Sequence, residues 1–388
     1  MLRQRSRNGP GLLAAVALAA MVVTAACGPS LGTPSPDPTP TATATPVVSP
    51  TDNRTPTPTA TATATPEPSA ESTPTPAAAW RQLEPAGAAP SAREDGTWTE
   101  QPGSRTAFLF GGRDGGAILD DLWAFDLDAD RWTRLAPEGQ TPPARFGHET
   151  VWVDGVGVVI FAGQAGPTTF YDDLWAYDPD ANRWRRLPGD GARPIARYGS
   201  CAALGPDGRL WISHGFTEDG TRFADTRAYD FTARRWSDQT PADQAPVNRC
   251  LHGCWWTNDG RLALYAGQTT GVDALGDLWS LSGAGTASAA WTRQLGELPP
   301  DRNLYAFARH GDEIVVVGGR GLEGAFLDDA FTIDATTLAI QPLVPTGPKP
   351  PGRGGAMLID DPAGGRVLLF GGKTPGRALA DLWELSLP

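Results

Sequence analysis

Six arginines carry the chemistry this sequence offers most openly. Arg93, Arg145, Arg197, Arg249, Arg302 and Arg353 each stand three residues after a proline, Pro90, Pro142, Pro194, Pro246, Pro299 and Pro350. Six guanidiniums drawn into one ring could hold a carboxylate or sulfate ligand through paired hydrogen bonds. A second series competes for them. Asp121, Asp173, Asp225, Asp277, Asp329 and Asp381 recur at an unbroken step of 52 residues. Arg–Asp pairs tying neighbouring repeat units would account for both series, and perfect repetition reads as scaffold, because ion-pair networks perturb ionisable groups as sites do.

Function is therefore sought where the repeat departs from itself. Directly after the arginine stand Glu94, Phe146, Tyr198, Cys250, Asn303 and Gly354, and three positions after it Gly96, His148, Ser200, His252, Tyr305 and Ala356. Both sets are expected to approach one mouth of a central channel. The candidate ligand face comprises the six arginines with Phe146, His148, Tyr171, Tyr198, His252 and Tyr305. Phe170, Phe216, Arg222, Phe223, Arg320 and Phe326 add aromatic and cationic character from neighbouring loops. Aromatic faces with a few polar groups suit sugars or protein side chains.

Catalytic and metal patterns are weak. The four histidines, His148, His214, His252 and His310, fall in four different units, with no close-spaced ligand pair. The DLDADR turn at Asp126 starts like a calcium loop but has Arg131 where the sixth-position glycine belongs. There is no Gly-x-Ser-x-Gly elbow and no phosphate loop. No catalytic residue, metal or cofactor is assigned; Glu94 and Glu218 are the acids to nominate if a proton must move.

The elements that position these residues follow from the repeat. DDLWAFDLDADRW at Asp120 and DDLWAYDPDANRW at Asp172 are two copies of one unit, and six copies occupy residues 80–388. A period of this size means one supersecondary unit stacked or set in a ring. In the second copy, apolar runs at 148–153, 158–161 and 174–177 and a fourth beginning at Trp184 are separated by Asp-Gly, Gly and DPDAN turn signals. Short apolar runs bounded this way are buried β-strands. The loops joining strands two to three, and four to the next unit, are long and share one face, which is where recognition is expected.

Composition excludes some partners. The formal net charge is −12, and loss of Arg3, Arg5 and Arg7 with a leader takes it to −15. Such a surface repels nucleic acid, and with Lys349 and Lys373 as the lysines of the chain a polybasic lipid patch is excluded too. Residues 1–27 read as an export signal: three arginines, an apolar run from Leu12 to Val23, then Thr24-Ala25-Ala26 before Cys27. That ending resembles the bacterial lipobox, with Thr24 where leucine is commonest, which implies lipidation at Cys27 and an extracytoplasmic, membrane-anchored location. Residues 28–79 are rich in Thr, Pro, Ala and Ser and are expected to be a disordered stalk.

Lipidation leaves Cys201, Cys250 and Cys254, an odd number. Cys250 and Cys254 stand about 13 Å apart along a continuous strand at ~3.3 Å per residue, beyond bridging reach. The possible disulfide is Cys201 with Cys250 or Cys254.

The repeat resembles the kelch family, which ends its second strand in Gly-Gly and places an aromatic residue seven positions before a tryptophan. Gly111-Gly112, Gly318-Gly319 and Gly371-Gly372 keep the pair, while Ala162-Gly163, His214-Gly215 and Ala266-Gly267 keep its second glycine. Phe125/Trp132, Tyr177/Trp184 and Tyr229/Trp236 keep the aromatic spacing. The resemblance implies an all-β, six-bladed kelch-type β-propeller. The chain ends one strand short of completing its sixth unit, and Trp80-Arg81-Gln82-Leu83 matches Trp132 to Leu135, so the N-terminal strand is expected to close the last blade. The expected function is a monomeric, lipid-anchored binding module for a glycan or protein. The alternatives are a sugar-modifying enzyme resembling kelch-type sialic-acid epimerases, or a passive scaffold. The copper site of galactose oxidase, which shares kelch architecture, has no local counterpart here.

Overall fold

A computed structural model describes residues 77–242, 246–296 and 298–388. The expected leader, Cys27 and all but the last three residues of the expected stalk lie outside these. The described chain is a six-bladed β-propeller. Blade 1 runs inner to outer as Thr97–Glu100, Thr106–Phe110, Leu122–Asp126 and Arg131–Leu135, and blade 2 as Glu149–Val153, Gly157–Phe161, Leu174–Asp178 and Arg183–Leu187. Blades 3, 4 and 5 repeat this order with inner strands Cys201–Leu204, Gly253–Trp256 and Ala306–His310. Helical geometry among the described residues is confined to two single turns, Leu322–Gly324 and Pro362–Gly364. No helix there is long and apolar enough to cross a membrane.

Blade 6 takes three strands from the C-terminus, Met357–Asp361, Arg366–Phe370 and Leu382–Ser386, and its outer strand, Ala79–Leu83, from the N-terminal side. Trp80 lies opposite Leu385 in that ladder. The same register sets Phe125 opposite Trp132, Tyr177 opposite Trp184 and Tyr229 opposite Trp236. The aromatic spacing in the sequence is thus the distance across one hairpin. Each tryptophan also reaches the preceding blade: Trp132 lies 5.2 Å from Phe370, Trp184 5.1 Å from Phe110 and Trp236 5.1 Å from Phe161, centroid to centroid. Burying such rings contributes at least 1.5–3 kcal/mol each, roughly, and fixes how neighbouring blades stack.

The glycine pattern has a steric cause. The second residue of each pair has φ near 100° (Gly163 93°, Gly267 102°), and a Cβ on Gly267 would stand 2.7 Å from the Cys250 carbonyl, just before the inner strand. The first residue sits near φ 60°, which Ala162, His214 and Ala266 also adopt. Only the second position requires glycine, and it alone is kept in all six units.

Cys201 and Cys254 are joined in a disulfide between the inner strands of blades 3 and 4, Cα to Cα 5.6 Å, and Cys250 is free and buried.

Candidate functional site

The six arginines do not face a ligand. Five of their side chains have no exposed surface and the sixth, Arg353, 2%. In blade 2 the Arg145 guanidinium donates from Nη1 and Nη2 to Asp173 at 2.7 and 3.2 Å, from Nη1 to the Ala162 carbonyl and from Nε to that of Pro143. Arg93–Asp121, Arg197–Asp225, Arg249–Asp277, Arg302–Asp329 and Arg353–Asp381 repeat the two-pronged pair. At Asp121, Asp173, Asp225, Asp277 and Asp381 burial pushes the carboxyl upward, but the hydrogen bonds and charge of the arginine outweigh it and hold each below the usual range.

The ion pair itself lies within one blade, which corrects the expectation that it joins neighbours. The joint is made by the arginine backbone: Arg145 N–H donates to Leu119 and its carbonyl accepts from Gly112, both in blade 1. Each arginine is thus a pin, its main chain in one blade and its side chain in the next.

Two positions beyond each arginine the backbone turns left-handed, with φ of 51–66° at Asp95, Gly147, Gly199, Leu251, Leu304 and Gly355. Their amides form a closed ring. Asp95 N–H donates to Gly355, Gly355 to Leu304, Leu304 to Leu251, Leu251 to Gly199, Gly199 to Gly147 and Gly147 to Asp95, at 2.7–3.3 Å. One hydrogen bond per blade boundary narrows the channel at its long-loop end.

The next positions are buried as well. Phe146, His148, Tyr198, His252 and Tyr305 are 3–8% exposed. Residues three beyond the arginine lean between blades, not into the mouth: His148 packs against Phe110, His252 against His214, and Tyr305 Oη donates to the Tyr265 carbonyl. Tyr171 is half-buried, its ring 4.1 Å from the Arg145 guanidinium. His148, His252 and Tyr305 meet the channel only below the ring, on the wall of its lumen.

What surfaces the mouth is a series passed over in the sequence, the residue after the second glycine: Arg113, Gln164, Phe216, Gln268, Arg320 and Lys373, all half-exposed. Each pairs by backbone with the residue that follows the arginine. Phe216 and Arg320 were marked as loop residues, but the series becomes visible only when the second glycine is used as the ruler. Its cations lie on adjacent blades 5, 6 and 1. Arg113 and Lys373 grip Glu94 at 3.0 and 2.7 Å, and Arg113 also reaches Asp95 at 3.1 Å. Arg320 has no acidic partner among the described residues, and Arg113 stacks 4.3 Å from the Phe146 ring. Phe170, Phe216 and Tyr198 form an edge-to-face row on blades 2 and 3. Tyr198 Oη donates to Asp95 at 3.0 Å, and burial, then the charge of Glu94, pushes Asp95 up to about 6. Glu218, the other acid nominated, is exposed in a turn two residues after Phe216.

The histidines give one prediction. Burial holds His148 and His214 near 3 and His252 well below its ordinary value, with neighbouring Arg145, Arg249 and His214 charges adding to it. A histidine whose folded pKa is depressed stabilises the fold above its unfolded value of ~6.5, and that stability is lost as pH falls below it. At pH 5 each should cost about 2 kcal/mol. Glu149 and Asp95, both held high, shift stability the opposite way over this range, so the variant comparison is the readout: between denaturant melts at pH 7 and 5, His252→Gln should lose about 2 kcal/mol less than the natural chain, and an unchanged pH difference refutes the assignment.

Residues 73–267 match the KLHDC2/KLHL20/DRC7 Kelch-repeats domain, and the chain belongs to the kelch-repeat family. Among similar proteins, the Rab9 effector protein with kelch motifs of Xenopus laevis is 32% identical over 209 residues, 52% of this chain and 56% of that protein. Putative adagio-like protein 2 of Oryza sativa subsp. japonica is 28% identical over 309 residues, 77% of this chain and 41% of that one. The chain therefore spans about half the length of these curated relatives. The solved structure of YjhT shares the fold, with a TM-score of 0.59 at 17% identity over 77% of this chain and 96% of that one.

Proposed function

We propose that this protein is an exported kelch propeller, tethered through a lipid on Cys27, that binds an acidic protein segment or acidic glycan on its long-loop face. The observation that carries this reading is the division of the mouth. Arg320, without an acidic partner among the described residues, stands on the blade before Lys373 and Arg113, which share Glu94, and these cations lie beside the Phe170–Phe216–Tyr198 row. Cations next to aromatic faces suit carboxylates carried on an apolar or sugar framework. A relative described as a Rab9 effector favours a protein as the ligand. Proton-transfer chemistry has one observation in its favour, Asp95 at about 6, but that carboxylate is buried under Tyr198 and already bonded.

The test is binding of the purified chain to glycan arrays and to extracytoplasmic proteins, repeated with Phe216→Ala and Arg320→Ala. Each variant should weaken a genuine ligand at least about tenfold, the size of a 1.4 kcal/mol hot-spot loss, with the melting temperature unchanged. A bound sugar converted to another product, or a ligand indifferent to both substitutions, overturns the reading. For the tether, Cys27→Ser should move the protein from the detergent phase to the aqueous phase.

A further inference from the structure

Below the hydrogen-bonded ring the channel opens into a cavity of about 550 Å³, lined by the ring residues and by the inner strands down to Glu100, Leu204 and Arg309. It lies on the tight-turn side, away from the face discussed above. Its charge is lopsided. Glu149 and Glu100 line it, and the one arginine in the lining, Arg309, is turned to other partners, donating to the carbonyls of Gly311 and Trp256 and to Asn258 Oδ1. The remaining ionisable groups in the lining are Asp95, whose neighbours are described above, the neutral histidines His148 and His252, and Tyr198 and Tyr305.

Glu149 is the anomaly. In blade 1 the residue at its position, Thr97, bonds across the blade boundary to His148 at 2.7 Å. One blade on, the same two positions hold Ser200, 3% exposed with its hydroxyl unpartnered, and Glu149, half-buried and without a side-chain hydrogen bond among the described residues. A carboxyl and a hydroxyl thus stand unpartnered at one corner of an acidic cavity. Glu100 lies three strand positions further down on the adjacent blade, about 10 Å at ~3.3 Å per residue. Between these levels the wall is hydroxylic at Thr99 and Thr150 and apolar at Val151 and Ala202.

We propose that this lumen binds a linear diamine or polyamine, one ammonium held by Glu149 and Ser200 and the second by Glu100. An ammonium offers three donors to these oxygens, the methylene chain meets the apolar wall, and the channel axis accepts an extended molecule. Burial pushes Glu149 up to about 8, and burial together with the Asp360 charge raises Glu100, so at pH 7 Glu149 carries a proton that an arriving ammonium displaces to solvent.

The experiment is calorimetric titration of the full chain with spermidine at pH 7, in two buffers of different ionisation enthalpy, with neutral octanediol and octylamine as controls. Saturable binding of one spermidine with release of close to one proton is expected. Glu149→Gln should weaken it at least about tenfold and abolish proton release, and Glu100→Gln should weaken spermidine while sparing octylamine. The Glu100 comparison stands even if Glu149→Gln folds poorly. Equal affinity for octanediol, or spermidine binding that both variants retain and salt removes, overturns the proposal in favour of an apolar slot or a diffuse surface atmosphere.

Discussion

A chain lacking residues 28–83 melts far below one lacking residues 28–76. The shorter deletion removes a segment whose composition gives it almost no apolar surface to bury. The longer one removes the outer strand of blade 6. Trp80 and Leu83, both 5% exposed, leave the core, and five residues lose their ladder to Leu382–Ser386. The Trp80 N–H bond to Thr346 and the Thr346 N–H bond to Ala78 go with them. At ~1.5–3 kcal/mol for each large buried side chain the loss is several kcal/mol, against a typical domain stability of ~5–15. It also exposes an apolar strand edge at the seam of the ring, so the longer deletion should aggregate on heating. Thermal melts of the two deletions decide it, and equal melting temperatures would mean that the N-terminal strand does not close the ring.

That closure was legible because it rests on counting. Six aspartates at one step, five complete units and one unit short of a strand leave a gap that only Trp80 to Leu83 matches, and the ladder opposite Leu385 is where the count put it. The site was harder to read, for a geometric reason. Propensity does not signal that Asp95, Leu251 and Leu304 turn left-handed, since leucine rarely does so, yet that kink closes the amide ring and divides the mouth above it from the lumen below. His148, His252 and Tyr305 accordingly meet the channel in the lumen below the ring and not at its mouth. The Arg–Asp pairing was visible as coincident periods. Its placement within a blade was not, because the arginine reaches back with its amide and forward with its side chain. The residues that do surface the mouth, Arg113, Gln164, Phe216, Gln268, Arg320 and Lys373, share no side-chain type; their common mark is the glycine before them.

Removing one pin should cost more than any other single side chain named here, and by an amount that depends on the blade. Arg145→Met leaves Asp173, whose side chain is 9% exposed, without its counter-ion and with Trp175 Nε1, at 2.8 Å, as its remaining side-chain donor. Breaking a buried pair from one side costs about 3–5 kcal/mol, because an unpaired charge stays in the interior. The carbonyls of Ala162 and Pro143 lose donors too. In blade 5 the geometry is milder. Asp329 is 41% exposed, and Phe331 stands where blade 2 has Trp175, so water can solvate the carboxylate once Arg302 is gone. Arg302→Met should therefore cost less, and Arg145→Met with Asp173→Leu should recover much of the single-variant loss by removing the stranded charge. Denaturant melts of the four proteins test this as a ranking: Arg145→Met least stable, then the double variant and Arg302→Met, then the natural chain. Equal losses at Arg145 and Arg302 would mean that the six pairs act through the blade joint alone, and that burial of the aspartate does not set their worth.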